Sequence, residues 1–190
     1  MPVFKRLKSA LRKSSENLEN QPEEQLYRKA LKASRNPDLY LEFKVADSLD
    51  GRFDMLCLHM ALIMRRLKAA EDTRCAGFSQ NLYDIFFADM DLTVREMGVG
   101  DLGVARRVRQ MSEAYMGRLL AYSTHLDAKD TEGLATALAR NISRADKVQD
   151  KDRKLSVYVA NAAKKLEDVE IETLLDARAD IASVFMLDKR

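Results

Sequence analysis

Two cysteines, two histidines, a glycine-rich hexapeptide and one carboxylate among apolar neighbours are the residues of this 190-residue chain with a claim on chemistry. Cys57 and Cys75 form no CxxC pair, so neither a disulfide framework nor a zinc ribbon is indicated, and a reducing compartment is the plain inference. His59 and His125 have no acidic or cysteine neighbour at ligand spacing. Gly98-Val99-Gly100-Asp101-Leu102-Gly103 matches GxGxxG letter for letter. That motif cradles a pyrophosphate only where a strand feeds the turn and a helix receives it. The preceding residues carry helical period and no β-branched run, so Gly98 is expected instead to end a helix at C′. GxSxG, P-loop, HExxH and papain-type signatures are absent. No catalytic, cofactor-binding or metal-ligating residue is expected, and the chain is read as a non-enzyme. Asp89 falls inside the apolar face made by Phe78, Leu82, Ile85 and Phe86. A carboxylate there needs a partner, and Arg107 on the next helix is the expected one. Asp91, on the polar side, is placed to pair with Arg95 at i+4.

The elements that must position these residues are helices. Seven Gly, three Pro and no Trp are too few for a turn-rich sheet protein, and 46% apolar with 33% charged residues is an ordinary globular balance. The apolar run Met55 to Met64 is too short to cross a bilayer. Residues 52–68 carry two apolar stripes, Phe53-Leu56-Cys57-Met60-Ile63-Met64-Leu67 and Met55-Leu58-Leu62, so this helix is expected to be surrounded by protein. His59 lies between the stripes, where a satisfied core histidine is expected. Further helices are expected at 22–34, 38–45, 79–97 with Ser79 as N-cap, 104–126, 131–144, 153–166 and 169–185, with a loop at 145–154. The fold class is therefore all-α: a single helical domain of about seven or eight helices around a central buried helix, 52–68. Its organisation is expected as a basic helix and linker over 1–21, a core over 22–126 and a helical extension packed on that core over 127–190.

Charge is uneven. The total is +2, from 32 Lys+Arg and 30 Asp+Glu, and the excess lies at the N-terminus. There Lys5, Arg6, Lys8, Arg12 and Lys13 surround Phe4, Leu7 and Leu11 at helical spacing. Such a basic amphipathic helix could dock on its own core, contact an anionic surface, or address the chain to a compartment. Helix 104–126 has an apolar seam through Val104, Val108, Met111, Tyr115, Leu119, Tyr122 and Leu126. Arg107 and Arg118 share one flank of it, and Met116 with Leu120 make a second strip beside Arg109. These are either solvated arginines on a half-buried helix or a cationic, apolar-streaked surface that holds a partner; the candidate partner-binding residues are Arg107, Arg109, Tyr115, Met116, Arg118 and Leu120. The near-neutral total and long turn argue against DNA binding.

Asp47-Ser48-Leu49-Asp50-Gly51-Arg52-Phe53-Asp54, continuing through Leu58-His59 to Arg65-Arg66-Leu67, resembles the ubiquinol–cytochrome c chaperone family. So do Leu82-Tyr83-Asp84, Phe87-Ala88-Asp89-Met90-Asp91 and the string Arg95-Glu96-Met97-Gly98-Val99-Gly100-Asp101-Leu102. Arg107-Val108, Met111, Ala114-Tyr115, Gly117-Arg118 and Ala121-Tyr122 extend the resemblance over roughly residues 37–126. It implies an assembly factor, without a cofactor, that binds newly made cytochrome b for the ubiquinol–cytochrome c oxidoreductase. It further implies a small partner chaperone, a place at the ribosome tunnel exit, and a bacterial cytoplasmic or mitochondrial matrix location at the inner face of the membrane. The alternative is a helical RNA- or ribosome-binding protein with no cytochrome client.

The addressing reading of the N-terminus has its own test. Each cation near an anionic surface contributes about 1 kcal/mol and is screened by salt. Full-length protein should co-sediment with anionic vesicles or ribosomes at low salt and release at high salt, whereas 14–190 should stay in solution; equal co-sedimentation would remove the role.

Overall fold

The computed structural model describes residues 21–187, and each regular element among them is helical. The expected basic helix, with Lys5, Arg6, Lys8, Arg12 and Lys13, lies outside the described residues. Pro22 pre-sets the first turn of α1, Pro22–Ser34, and Glu23 and Glu24 sit at the positive end of its dipole. Asn36 caps the short α2, Pro37–Phe43, by accepting the Asp38 N–H at 3.1 Å. Three long helices follow: α3, Leu49–Lys68; α4, Arg74–Glu96; and α5, Asp101–Asp127. Then α6, Thr131–Leu138, runs into a π-helical turn, Ala139–Ser143, before α7, Asp150–Glu167, and the short α8, Ile171–Leu175, and α9, Ile181–Val184.

The helix with two apolar stripes is the axis of the molecule. α3 packs against α1, α4, α5, α7 and the π turn, and every residue from Asp54 to Met64 is buried. It begins at Leu49 rather than Arg52, because the Ser48 hydroxyl accepts the Gly51 N–H at 3.1 Å and draws Gly51 into the first turn. A Cβ at Gly51 would run into the carbonyl oxygen of Ala46, so glycine is what lets the preceding loop lie against α3.

Several boundaries differ from the sequence expectation, each for a local reason. α4 starts at Arg74, leaving Ser79 inside the helix rather than at its cap. The segment expected as a loop to Lys154 is helical from Asp150, where the Gln149 side chain and Asp152 satisfy each other's backbone N–H groups in a capping box. The helix expected over 169–185 is broken in two. Ala177 adopts a left-handed φ of 52°, and Lys29 of α1 reaches across to donate to the carbonyls of Ala177 at 2.6 Å and Ala179 at 3.0 Å. Arg66 of α3 does the same for the end of α7, donating to the Leu166 and Val169 carbonyls at 2.9 Å. Long cationic side chains thus satisfy the carbonyls at both helix ends, and at Ala177 the break falls where the local sequence would continue the helix.

His59 sits at the centre of this packing. Its Nδ1 lies 2.7 Å from the Met55 carbonyl, which can only accept, so Nδ1 carries the proton. Nε2 is 3.4 Å from the Tyr158 hydroxyl, which donates to the Phe185 carbonyl at 3.0 Å, and the Phe185 ring lies 4.2 Å from the imidazole. Full burial holds the imidazole pKa down at about 4, against an ordinary 6.5. As pH falls, the unfolded chain therefore takes up this proton before the folded one does. The group removes stability progressively between pH 6.5 and 4, by about 3 kcal/mol over that window. NMR titration should find the His59 ring signal unmoved until pH approaches 4; a midpoint near its ordinary value would show a solvated ring.

Candidate interaction surface

α4 and α5 form an antiparallel hairpin closed by Gly98, whose φ of 77° ends α4. Here the expected C′ role holds. Arg95 braces the turn, pairing with Asp91 as expected and also with Asp101 at the start of α5, both at 2.5 Å. Further along, the Tyr83 hydroxyl and Ser112 Oγ share a hydrogen bond at 2.5 Å that pins the two helices together. The inner seam of α5 is at least half-buried throughout, and Tyr115 is its anchor. Its ring meets Phe86 edge-on at 5.3 Å and Phe87 at 5.9 Å, and it is 0% exposed. It was expected on the partner-binding surface; the structure makes it core, because its position continues the seam rather than the Met116–Leu120 strip.

Arg118 is corrected for a different reason. Its side chain is 12% exposed and its Nη2 donates to Asp54 Oδ1 at 2.7 Å. Arg144, held in the left-handed region at the end of the π turn, donates to Asp54 Oδ2, also at 2.7 Å. Asp54 is completely buried. Burial pushes its carboxyl up from the ordinary range, while the two guanidiniums pull the other way. The Arg118 guanidinium also stands 5.7 Å over the Phe53 ring. Among the described residues the fully buried acids are Asp54 and Asp152, and not Asp89. Asp89 is half-buried and accepts the Tyr27 hydroxyl of α1 at 2.5 Å, while Arg107 makes no hydrogen bond or ion pair among the described residues. Asp89 and Arg107 are not brought together: α1 fills the place on α4 where α5 was expected. Asp54 had a signal in sequence, as the acid directly preceding the apolar run Met55 to Met64.

What remains on the outside of the hairpin is apolar and cationic. Leu102 is 92% exposed, Leu120 70% and Met116 51%, with Leu92 and Met97 exposed at the far end of α4. Arg109 lies in the same outer strip, paired with Glu113 one turn on at 2.9 Å. Behind this strip, between the starts of α3 and α5, is a cleft of about 390 Å³ lined by Arg106, Arg107, Arg118 and Arg144. Elsewhere the chemistry is quiet. Burial pushes the Cys57 thiol well up, keeping it protonated, and among the described residues no group of three or more His, Cys, Asp or Glu could hold a metal. Nor is any described helix long and apolar enough to cross a membrane.

An all-helical protein whose deepest charges brace its own interior, and whose exposed surface carries an apolar strip, is of the kind that works by contact with other molecules. The chain belongs to the ubiquinol-cytochrome C chaperone family, whose family model matches residues 41–182. The match runs across residue 127, so it takes in α6, α7 and α8 as well as the stretch in which the resemblance was legible. Among solved structures, the chain is similar to the Cbp3 homolog from Brucella abortus, at 32% identity and a TM-score of 0.78 over 96% of this chain and 99% of that one. No match is found among proteins of curated function.

The Asp54 clamp has a measurable strength. Replacing Arg118 with Ala leaves a buried carboxylate short of a partner and should cost about 3–5 kcal/mol in urea unfolding, while adding Asp54→Asn should recover part of that loss. Additive effects in the double-mutant cycle would show that the pair contributes nothing as a unit.

Proposed function

We propose that this chaperone binds newly made cytochrome b during assembly of the ubiquinol–cytochrome c oxidoreductase, and that the outer strip of α5 is where it does so. The observation that carries the reading is the Met116–Leu120 pair, exposed on a helix held firmly from behind. Tyr115 and Arg118, one residue before Met116 and two after it, are locked into the aromatic cluster and the Asp54 clamp. The strip is thus presented by a rigid support and loses little conformational freedom on binding. An apolar client segment would bury Leu102, Met116 and Leu120, methionine adapting to its shape, and Arg107 and Arg109 would meet carbonyls or acids at its ends. Family membership supports the client class, and the absence of a spanning helix among the described residues is compatible with work at the inner face of the membrane. A small partner chaperone and the ribosome tunnel exit belong to the same proposal.

The test is affinity capture of tagged protein from respiring cells. Cytochrome b should be recovered with wild type and fall about tenfold or more with Met116→Glu/Leu120→Glu, each lost apolar contact being worth roughly 1.5–3 kcal/mol. The variant should melt like wild type, since both side chains face solvent. Recovery of ribosomal RNA without cytochrome b would replace this function with the RNA-binding alternative; undiminished cytochrome b recovery by the variant would move the client to another face.

A further inference from the structure

The cleft between the starts of α3 and α5 has more positive charge than its own acids neutralise. Arg106, Arg107, Arg118 and Arg144 converge on it, and the acids lining it are Asp50 and Asp54. Asp54 is already engaged by Arg118 and Arg144, and Asp50 lies 3.9 Å from Arg144. Four guanidiniums against two carboxylates leave two positive charges unbalanced, and Arg106 and Arg107, which make no ion pair among the described residues, are the two not engaged.

Three further features favour an anion there. First, Arg118 Nε is buried without an acceptor, although its neighbouring Nη2 is well bonded; a buried donor with nothing to give to is rare in folded proteins. Second, α3 and α5 run side by side in the same direction, since Asp54 near the start of α3 meets Arg118 and Arg65 near its end meets Asp127. The start of α3, level with the middle of α5, therefore turns its positive end toward the cleft, and the start of α5 reaches only its edge, at Gly103. Third, three successive cation positions, Arg106, Arg107 and Arg109, stand in the early turns of α5, where cations oppose that dipole. Arg109 is relieved by Glu113, but Arg106 and Arg107 are not.

We propose that this cleft binds a dianionic phosphate monoester carried on an apolar stem. The charge to be neutralised is that of a dianion, and forked guanidiniums match phosphate oxygens two at a time. The volume exceeds what a phosphate alone would fill, and Phe53, Met111 and Leu49 supply an apolar wall for the stem. The same group could come from a soluble phosphorylated metabolite or from the headgroup of phosphatidic acid. This site borders the client strip, sharing Arg107 with it, and is read by a different ligand.

Calorimetric titration of the full chain with phenyl phosphate should show saturable one-to-one binding that weakens with salt, and phenol should give no heat. Arg106→Gln/Arg107→Gln leaves the Asp54 clamp in place and should weaken phenyl phosphate by about tenfold or more at unchanged thermal stability. Lys68→Gln/Lys164→Gln removes the same charge from exposed positions elsewhere and should bind like wild type. Vesicles of phosphatidylcholine with and without phosphatidic acid then separate the sources. Sedimentation that needs phosphatidic acid and falls in Arg106→Gln/Arg107→Gln supports the site with a lipid headgroup as its source. Equal sedimentation of both proteins, with phenyl phosphate binding intact in wild type, supports it with a soluble one. No saturable phenyl phosphate binding to wild type at millimolar concentration, or equal binding by Arg106→Gln/Arg107→Gln, would overturn the proposal.

Discussion

A carboxylate buried among apolar side chains must be answered by charge, and in this protein the answer to Asp54 organises the helices around it. Its two oxygens face two guanidiniums, one from the middle of α5 and one from the end of the π turn. Neither oxygen is left over, which is the condition under which a buried ion pair holds geometry instead of merely costing stability. The consequence is a fixed relation among three parts of the chain far apart in sequence. α5 cannot roll about its axis without withdrawing Arg118, and the π turn cannot relax to an α-helical turn without moving Arg144. The turn is secured in the same way on its other side, where the Ser143 hydroxyl donates to the buried Asp152 at the start of α7. An extra residue in a helix is ordinarily a weakness; here it aims a cation.

Much of this could be read from residues alone, and the boundary of what could be read is physical. Periodicity identified α3 as the buried axis, because a helix apolar on two sides has nowhere else to go, and it identified His59 as internal for the same reason. Gly98 was legible because a glycine directly after a helical stretch most readily takes the left-handed C′ position. The end of α7 was legible to within a residue, but the break at Ala177 was not, since Lys29 arrives there from a distant helix. The Asp89 pairing failed in an instructive way. Helical spacing shows which side of α4 a carboxylate faces but not which helix covers that side, and it is α1 with Tyr27 that does. Spacing already put Tyr115 in the seam, and counting it with the binding residues set that aside; Arg118 falls on the flank by spacing, and only Asp54 facing it shows that it turns inward.

The surface left over follows from that interior. With Arg118 drawn inward and Arg109 relieved by Glu113, the outer strip of α5 offers methyl and methylene groups more than charge. Its support is aromatic and stiff, from Tyr83 through Phe86 and Phe87 to Tyr115. A sticky strip on a loose helix would collapse inward or aggregate; on a braced helix it stays exposed. Rigidity within and apolar exposure without are thus two aspects of one arrangement.

The contact between His59, Tyr158 and Phe185 also constrains how this protein comes into being. The middle of α3 is covered by a ring and a carbonyl of Phe185, far downstream of it in sequence, so the axis of the fold stays open until Phe185 has been translated and released. Upstream helices can form early, since their hydrogen bonds are local, but this closing contact is among the longest in sequence and is reached late. During its own synthesis the protein therefore passes through a stage with its most apolar helix incompletely covered. A member of a chaperone family is, for that interval, itself a chain with apolar surface still to be covered.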